Sequence, residues 1–249
     1  MHILLTNDDG IDSPGLAALR RALVCHDVWV VAPATQQSGK SHSITFCEPV
    51  KFNKLEPQVY SCEGSPADCV LYSYLGAIPV KPDIVLSGIN LGPNLGTDLI
   101  YSGTAAAARQ AALMGCPGVA LSLNSFTDPY YFDNAADFVS RNVELLLSLW
   151  NADHFININF PNQQEALKEV RITEPSVRLY NDRVVKFDAP RGGSYFFLEG
   201  NSEEFTGKNT DSQAVAEGCV SVSPIFLHPQ NQQESEMYRE ADFRTADGR

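Results

Sequence analysis

Short apolar segments that alternate with helical patterns constrain the fold of this chain more than any other feature. A run of aliphatic residues that ends in polar ones is typical of a buried strand, whereas apolar residues spaced three and four apart indicate a helix. Strands that alternate with helices predict a parallel sheet with helices on both faces. The predicted strands of this sheet are residues 2–6, 28–33, 83–89, 118–124 and 154–160.

Residues typical of helix starts follow several of these strands. Ser13 and Pro14 are of the types favoured at an N-cap and at the first helical position. Ser65 and Asp68 have the spacing of a capping box. We predict helices after Ser13 and at residues 64–77, 104–115 and 133–150. Together with the strands they predict a Rossmann-like, mostly parallel α/β core over residues 1–160.

The pattern changes after residue 160. Residues 161–226 contain more proline and glycine and several short β-like runs, which predict a β-rich C-terminal extension with hairpins suited to pairing with another subunit. The polar residues 228–249 predict an arm or a frayed end. A length of 249 residues suits one large domain, so we predict a core at 1–160 and an extension with its arm at 161–249.

Composition and charge exclude several classes of protein. No apolar run approaches the roughly 18 residues of a membrane span, and the N-terminus lacks the features of a signal peptide. We therefore expect a cytoplasmic protein. The net charge of −12 argues against long nucleic acid or an anionic membrane as the partner. Six scattered cysteines without a C-x-x-C pair argue against a zinc site and favour buried thiols over disulfides.

Polar residues that follow the predicted strands are the candidates for a site, because ligands bind at the carboxyl ends of strands in an open parallel sheet. Asp8 and Asp9 follow the first strand, Ser38 lies in the loop after the second, and Asn90 follows residues 83–89. Adjacent carboxylates repel each other unless a cation lies beside them, and Mg²⁺ prefers such oxygen ligands. A simple turn ending at Gly10 is the alternative interpretation.

A glycine-rich loop at residues 87–104 precedes an alanine-rich helix. Its spacing is not that of a dinucleotide-binding loop. Ser102, Gly103 and Thr104 stand at the predicted start of the helix, where unpaired N–H groups form a ready anion site. The alternative is that Thr104 is only an N-cap, which is compatible with phosphate binding beside it.

The segment ATQQSGKS at residues 34–41 is one letter from an ATP-binding loop. Ala34 replaces the first glycine of that motif. Such a loop must also run into a helix, whereas residues 43–52 are β-branched and aromatic and predict a strand, in a hairpin with residues 58–62. ATP binding is therefore not favoured, and we expect Ser38 rather than Lys40 to matter.

Several segments together resemble the survival protein E (SurE) family of 5′/3′-nucleotidases. The resemblance covers nearly the whole chain to about Phe226. It rests on residues 3–15, 32–45, 64–70, 82–104 and 209–224.

The resemblance implies a metal-dependent phosphomonoesterase of the acid-phosphatase type. Its substrates would be nucleoside 5′- and 3′-monophosphates, with short polyphosphate as a further one. One divalent ion per subunit, Mg²⁺ or Mn²⁺, is implied, with ligands at Asp8, Asp9, Ser38 and Asn90. The implied phosphate-binding residues are Ser102, Gly103 and Thr104. A homodimer or homotetramer that exchanges C-terminal segments is also implied.

The sequence is compatible with two mechanisms and with two other functions. Asp8 or Asp9 could accept a proton from water or attack phosphorus directly, and the second is less favoured because a carboxylate committed to a metal is a poorer nucleophile. One rival is a nucleotide- or metal-binding regulator without turnover. The other is a haloacid-dehalogenase-like phosphatase, which requires a D-x-D-x-[TV] motif that D-D-G-I-D does not provide.

Overall fold

A computed structural model of the chain describes residues 1–200, 202–205, 207–228 and 232–241. Its centre is a nine-stranded sheet, and two further strand pairs lie outside that sheet. The strands are β1 His2–Thr6, β2 Asp27–Pro33, β3 Phe52–Glu56, β4 Val59–Cys62, β5 Ile84–Leu91, β6 Gly118–Asn124, β7 His154–Pro161, β8 Val170–Ile172, β9 Val177–Tyr180, β10 Arg183–Asp188, β11 Ser194–Glu199, β12 Ser202–Phe205 and β13 Val220–Phe226.

The main sheet is mostly parallel, as predicted. Its order is β3-β4-β2-β1-β5-β6-β7-β13-β8, and the six neighbouring strands from β4 to β7 run parallel. These strands are apolar because both of their faces are covered, and every residue of β7 is buried. The edges differ, since β3 is antiparallel to β4 and β13 is antiparallel to β7.

Helices cover both faces of the sheet, which confirms the predicted layers. On one face, α1 (Pro14–Ala22) packs with α4 (Phe132–Leu149), and Leu19 shares a buried cluster with Val139. On the other face, α2 (Pro66–Tyr72) packs with α3 (Gly103–Leu113), and Val70 shares a second cluster with Ala107. The helices are α1 Pro14–Ala22, α2 Pro66–Tyr72, α3 Gly103–Leu113, α4 Phe132–Leu149, α5 Asp211–Ala216 and α6 Gln232–Glu240, with a π-helical turn at Ser73–Ala77 and a 3₁₀ turn at Gly96–Ile100.

The predicted strand at residues 43–52 is wrong for most of its length. Residues 43–51 have no regular secondary structure, and only β3 forms the expected hairpin with β4. Side chains at the start of α2 hold this segment instead. The Thr45 N–H donates to Asp68 at 2.9 Å, and the Ser65 hydroxyl donates to the Ser43 carbonyl at 2.7 Å. Tertiary hydrogen bonds therefore override the β propensity of this stretch.

The C-terminal part is rich in strands, as predicted, and one of its strands joins the main sheet. β9 pairs with β12, and β10 pairs with β11, in two antiparallel pairs outside the main sheet. β13 returns to pair with β7, so the predicted boundary after residue 160 separates two neighbouring strands of one sheet. Within the predicted arm, α6 is helical, whereas residues 229–231 and 242–249 lie outside the described residues.

All six cysteines are free, as expected for thiols without disulfides. Four of them are buried, but Cys25 and Cys47 are exposed, which corrects the expectation that the cysteines are buried small hydrophobes. Across the part of the chain that the structure describes, no helix combines the length and the apolar character needed to cross a membrane.

Candidate active site

The two adjacent aspartates lie in a tight turn at the carboxyl end of β1. The Asn7 side chain closes this turn, because its Nδ2 donates to the Gly10 carbonyl at 2.9 Å and its Oδ1 accepts the Gly10 N–H at 3.2 Å. The turn and the site are thus not alternatives. The turn is the device that presents Asp8 and Asp9 at the edge of the sheet.

Asp8 is a buried carboxylate with only 4% of its surface exposed. The Thr104 hydroxyl donates a short hydrogen bond to Asp8 Oδ1. Burial raises the pKa of Asp8, while the hydrogen bonds from Thr104 and from the Gly103 N–H oppose that rise. A buried carboxylate with a raised pKa favours either a proton or a cation beside it.

Asp9 is less buried and is held by the neighbouring strand. The Leu91 N–H of β5 donates to Asp9 Oδ2 at 3.0 Å. Burial raises the pKa of Asp9 to about 6; the Leu91 hydrogen bond lowers it, and the charge of Asp8 raises it further. Asp9 is therefore a carboxylate that holds its proton to a higher pH than an ordinary aspartate does.

Asn90 and Ser38 bring neutral oxygen atoms to the same edge. Asn90 is 8% exposed, and its Nδ2 donates to the carbonyls of Leu91 at 3.3 Å and Gly92 at 2.8 Å. These two bonds occupy the amide hydrogens and leave the amide oxygen as the group that a cation would use. Ser38 is exposed and accepts a hydrogen bond from Gln36 Nε2 at 3.3 Å.

The loop that resembles an ATP-binding motif connects the other two segments of the site. The Gln37 N–H donates to the Asp8 carbonyl at 2.7 Å, and the Ser41 N–H donates to the Tyr101 carbonyl at 3.1 Å. Irregular backbone, not a helix, follows Lys40. The loop therefore lacks the helix of a phosphate cradle, although the predicted reason, a strand at this place, was wrong.

A cleft of about 670 Å³ brings four of the predicted residues together, namely Asp8, Ser38, Asn90 and Ser102. Asp9 does not line this cleft but lines a neighbouring cavity of about 250 Å³. Leu91 borders both cavities. Gly103 and Thr104 are fully or almost fully buried behind Asp8. The predicted site residues thus lie along one edge of the sheet and line two neighbouring cavities.

The start of α3 corrects one interpretation. Ser102, not Thr104, is the N-cap, because its hydroxyl accepts the Ala105 N–H at 3.0 Å. The Thr104 hydroxyl is turned to Asp8 instead. Gly103 is needed for this approach, since a Cβ there would lie 2.8 Å from Asp8 Cβ and 3.1 Å from Pro66 Cγ. The N-terminus of α3 thus meets a carboxylate at close range.

A buried asparagine network that the sequence analysis missed holds the glycine-rich loop. Asn157 and Asn159 of β7 donate their Nδ2 groups to the Asn94 carbonyl, each at 3.0 Å. Asn94 donates its own Nδ2 to Ser122 Oγ at 2.7 Å. Two asparagines among the apolar residues of FININF were the available signal, because buried amides need hydrogen-bond partners.

An aspartate from α5 anchors the same loop further along. Asp211 is fully buried, and its Oδ2 accepts the Gly96 N–H at 2.8 Å while its Oδ1 accepts the Ser176 N–H at 2.9 Å. The C-terminal part therefore supports the site that the N-terminal part carries. Sequence spacing gives no direct signal for this contact, since Gly96 and Asp211 lie 115 residues apart.

The donor set restricts which ion the rim could hold. Among the described residues, no cluster of three or more His, Cys, Asp or Glu side chains could bind a metal. Carboxylate oxygens with amide and hydroxyl oxygens suit a hard cation such as Mg²⁺ or Mn²⁺ rather than zinc. The residues present fit the divalent ion expected from the sequence.

The fold and the rim define a Rossmann-like α/β protein with paired aspartates beside a glycine-rich loop. Residues 3–182 match the family described as Survival protein SurE. The chain belongs to this family.

Relatives and a solved structure agree with the assignment. The 5′-nucleotidase SurE of Desulfitobacterium hafniense (strain DSM 10664 / DCB-2) is 43% identical over 231 residues, which cover 90% of each chain. That of Carboxydothermus hydrogenoformans is 39% identical over 239 residues, which cover 91% of this chain and 90% of the relative. The crystal structure of the SurE protein from Aquifex aeolicus has a TM-score of 0.83 and 39% identity, covering 97% of this chain and 100% of that chain.

The raised pKa of Asp9 predicts a pH-dependent stability. The folded protein holds the Asp9 proton up to about pH 6, whereas an unfolded aspartate loses it near pH 4. Because the folded state binds more protons in this window, stability falls as pH rises from about 4 to 6, and the loss persists above pH 6. In the absence of divalent ions, Asp9→Asn is expected to raise the free energy of unfolding at pH 8 by about 1–2 kcal/mol, a value reduced for solvent screening.

Urea unfolding in the presence of a chelator, at pH 4 and at pH 8, measures this effect. The gain of Asp9→Asn over the wild type is expected at pH 8 and is expected to be small at pH 4. A gain of the same size at both pH values, or none at pH 8, would contradict the assignment of a raised pKa to Asp9.

Proposed function

We propose that this chain is a metal-dependent phosphomonoesterase that hydrolyses nucleoside 5′-monophosphates to nucleoside and phosphate. The observation that carries the proposal is Asp8, a buried carboxylate in a cleft that also contains Ser38, Asn90 and the start of α3. A buried carboxylate in that position favours a bound cation, and a bound cation would in turn attract the phosphate group of a substrate. The name 5′-nucleotidase SurE of the relatives supports the same activity.

The residues that would hold the ion are Asp8, Asp9, Ser38 and Asn90. When bound, a divalent ion would neutralise phosphate oxygens and lower the pKa of a water molecule. Asp8 and Asp9 belong to one backbone turn, although they line two neighbouring cavities that Leu91 borders, and we propose that both contribute to one ion.

The chain's own groups orient the substrate and move the proton. Ser102, Gly103 and Thr104 are the proposed phosphate-binding segment, as the family resemblance implies. Of the three, Ser102 lines the cleft, whereas the Gly103 and Thr104 N–H groups donate to Asp8. Thr104 fixes the rotation of the Asp8 carboxylate through its hydroxyl. Asp9 is the proposed acceptor of a proton from the attacking water. Attack by water is favoured over direct attack by Asp8, because a carboxylate committed to a metal is a poorer nucleophile.

The finer activities follow from the family resemblance. We extend the proposal to nucleoside 3′-monophosphates and short polyphosphate, as substrates of an acid-phosphatase-type enzyme with Mg²⁺ or Mn²⁺. The cytoplasmic location stays a prediction.

The proposed assembly is a homodimer or homotetramer. The β10–β11 hairpin exposes Phe187, Tyr195, Phe196 and Phe197, each by more than half of its surface. Exposed aromatic residues on one hairpin are typical of a surface that a partner covers. Light scattering of the intact chain measures the mass, and a monomer at micromolar concentration would contradict the assembly.

A phosphate-release panel tests the proposed function. We expect release from AMP in the presence of Mg²⁺ or Mn²⁺ and none with a chelator. Parallel reactions with 3′-AMP and short polyphosphate test the finer activities. Binding of AMP without phosphate release under either metal would support the non-enzymatic regulator instead.

A further inference from the structure

The aromatic side chain of Phe126 lines the cleft and is not part of the hydrophobic core. Phe126 is 74% exposed and lies just beyond the end of β6. β6 runs parallel to β5, and its Ser122 pairs with Asn90. The chain thus carries Phe126 to the same rim as Asn90, and both residues line the 670 Å³ cleft.

Local hydrogen bonds fix the backbone that carries this ring. The Ser125 N–H donates to the Leu123 carbonyl at 2.8 Å, and the Ser125 hydroxyl donates to the Thr127 carbonyl at 2.8 Å. One edge of the Phe126 ring rests on Gly92 of the glycine-rich loop, because a Cβ at Gly92 would lie 2.4 Å from Phe126 Cε1. The ring is therefore positioned before a ligand arrives, which lowers the cost of binding.

A second ring lies in the same cleft. Tyr101 is 58% exposed and directly precedes Ser102 at the start of α3. The cleft thus combines an oxygen-rich part, with Asp8 and Asn90, and a part with exposed aromatic surface. A volume of about 670 Å³ falls within the range of sites that enclose a small organic ligand.

We propose that Phe126 binds the nucleobase of the substrate by stacking, an inference that rests on the proposed phosphomonoesterase function. A nucleoside monophosphate has one anionic end and one flat aromatic end. The flat end matches the aromatic part of the cleft, and the anionic end would meet the oxygen-rich part through the divalent ion proposed there. Every nucleobase presents a π-face, so stacking on Phe126 gives affinity without selecting one base. The expected enzyme therefore accepts purine and pyrimidine monophosphates and discriminates against phosphate esters without a base.

A pair of substrates that differ only in the base tests this inference. Phe126→Ala is expected to lower kcat/KM for AMP roughly 5- to 100-fold. For ribose 5-phosphate, which keeps the phosphate ester and lacks the base, kcat/KM is expected to stay unchanged. Phe126→Trp keeps a stacking surface and is expected to restore AMP hydrolysis.

Phe46→Ala is the matched control. Phe46 is 87% exposed, and it belongs to the irregular segment 43–51 rather than to the cleft lining. This variant is expected to leave both substrates unaffected. Because Phe126 is also mostly exposed, Phe126→Ala is expected to fold, and circular dichroism checks that it does.

The remaining outcomes separate this inference from the proposed function. An equal loss for AMP and ribose 5-phosphate, or no loss for AMP, would overturn base stacking by Phe126 while the phosphatase activity stands. If the wild type releases phosphate from neither compound, the proposed function fails. In that case, calorimetric titration of AMP into the wild type and Phe126→Ala tests base stacking directly. A higher Kd for Phe126→Ala would support stacking, and an unchanged Kd would overturn it.

Discussion

Asp8→Asn is expected to lower kcat/KM for AMP by at least about a thousandfold, since a bound ion contributes several kcal/mol to stabilising the transition state. The neutral amide keeps the shape of the side chain but loses the charge that attracts a cation. Because burial disfavours the Asp8 charge, the substitution is not expected to lower stability. Phosphate release at saturating Mg²⁺ measures the activity, and thermal unfolding without metal measures the fold.

Asp153→Asn is the control for this substitution. Asp153 is exposed and precedes β7, so it lies at the opposite edge of the sheet from the carboxyl ends of the strands. The control is expected to match the wild type. Near-wild-type activity of a folded Asp8→Asn variant would refute the role of Asp8 in the site.

Gly103→Ala is expected to give the second-largest effect, and it is expected to lower both activity and stability. The new Cβ would lie 2.8 Å from Asp8 Cβ and 3.1 Å from Pro66 Cγ, so Asp8 or α3 must shift. Displacing a reacting group by about 1 Å costs on the order of a hundredfold in rate. Overpacking of this kind destabilises by about 1–3 kcal/mol, which outweighs the roughly 1 kcal/mol that alanine gains over glycine in a helix.

Gly207→Ala provides a matched control for the change of residue type. Gly207 is exposed, and the added Cβ would meet one side-chain atom, Thr210 Cγ2, at 3.1 Å. Urea unfolding and AMP hydrolysis are measured for both variants. Wild-type stability and activity of Gly103→Ala would show that neither property requires the close approach of α3 to Asp8.

For the loop at residues 34–41, the sequence predicted the location of Ser38 correctly but predicted the conformation of the segment after the loop wrongly. The sequence places Ser38 beyond a strand, and the structure puts it in the cleft with Asp8. The strand predicted after the loop is absent, because Asp68 and Ser65 at the start of α2 bind residues 43–45. Side chains more than twenty positions away thus decided the local conformation.

Thr104 shows the same limit in the site. A threonine before an alanine-rich stretch has the features of an N-cap, but Ser102 fills that position. The Thr104 hydroxyl instead bonds to Asp8, which lies 96 residues earlier in the chain. Capping rules describe backbone groups within one turn and carry no information about a carboxylate brought there by another strand.

The sequence by itself determined the alternation of strands and helices in the core, the parallel sheet, the helix caps at Ser13 and Ser65, and the edge of the sheet at which the polar residues lie. It could do so because periodicity and capping are local properties of the chain. Only the tertiary structure decided that Asp8 and Asp9 open onto different cavities, that β13 returns beside β7, and that Phe126 stands in the cleft. These features depend on contacts between residues far apart in sequence, which packing selects and local patterns do not encode.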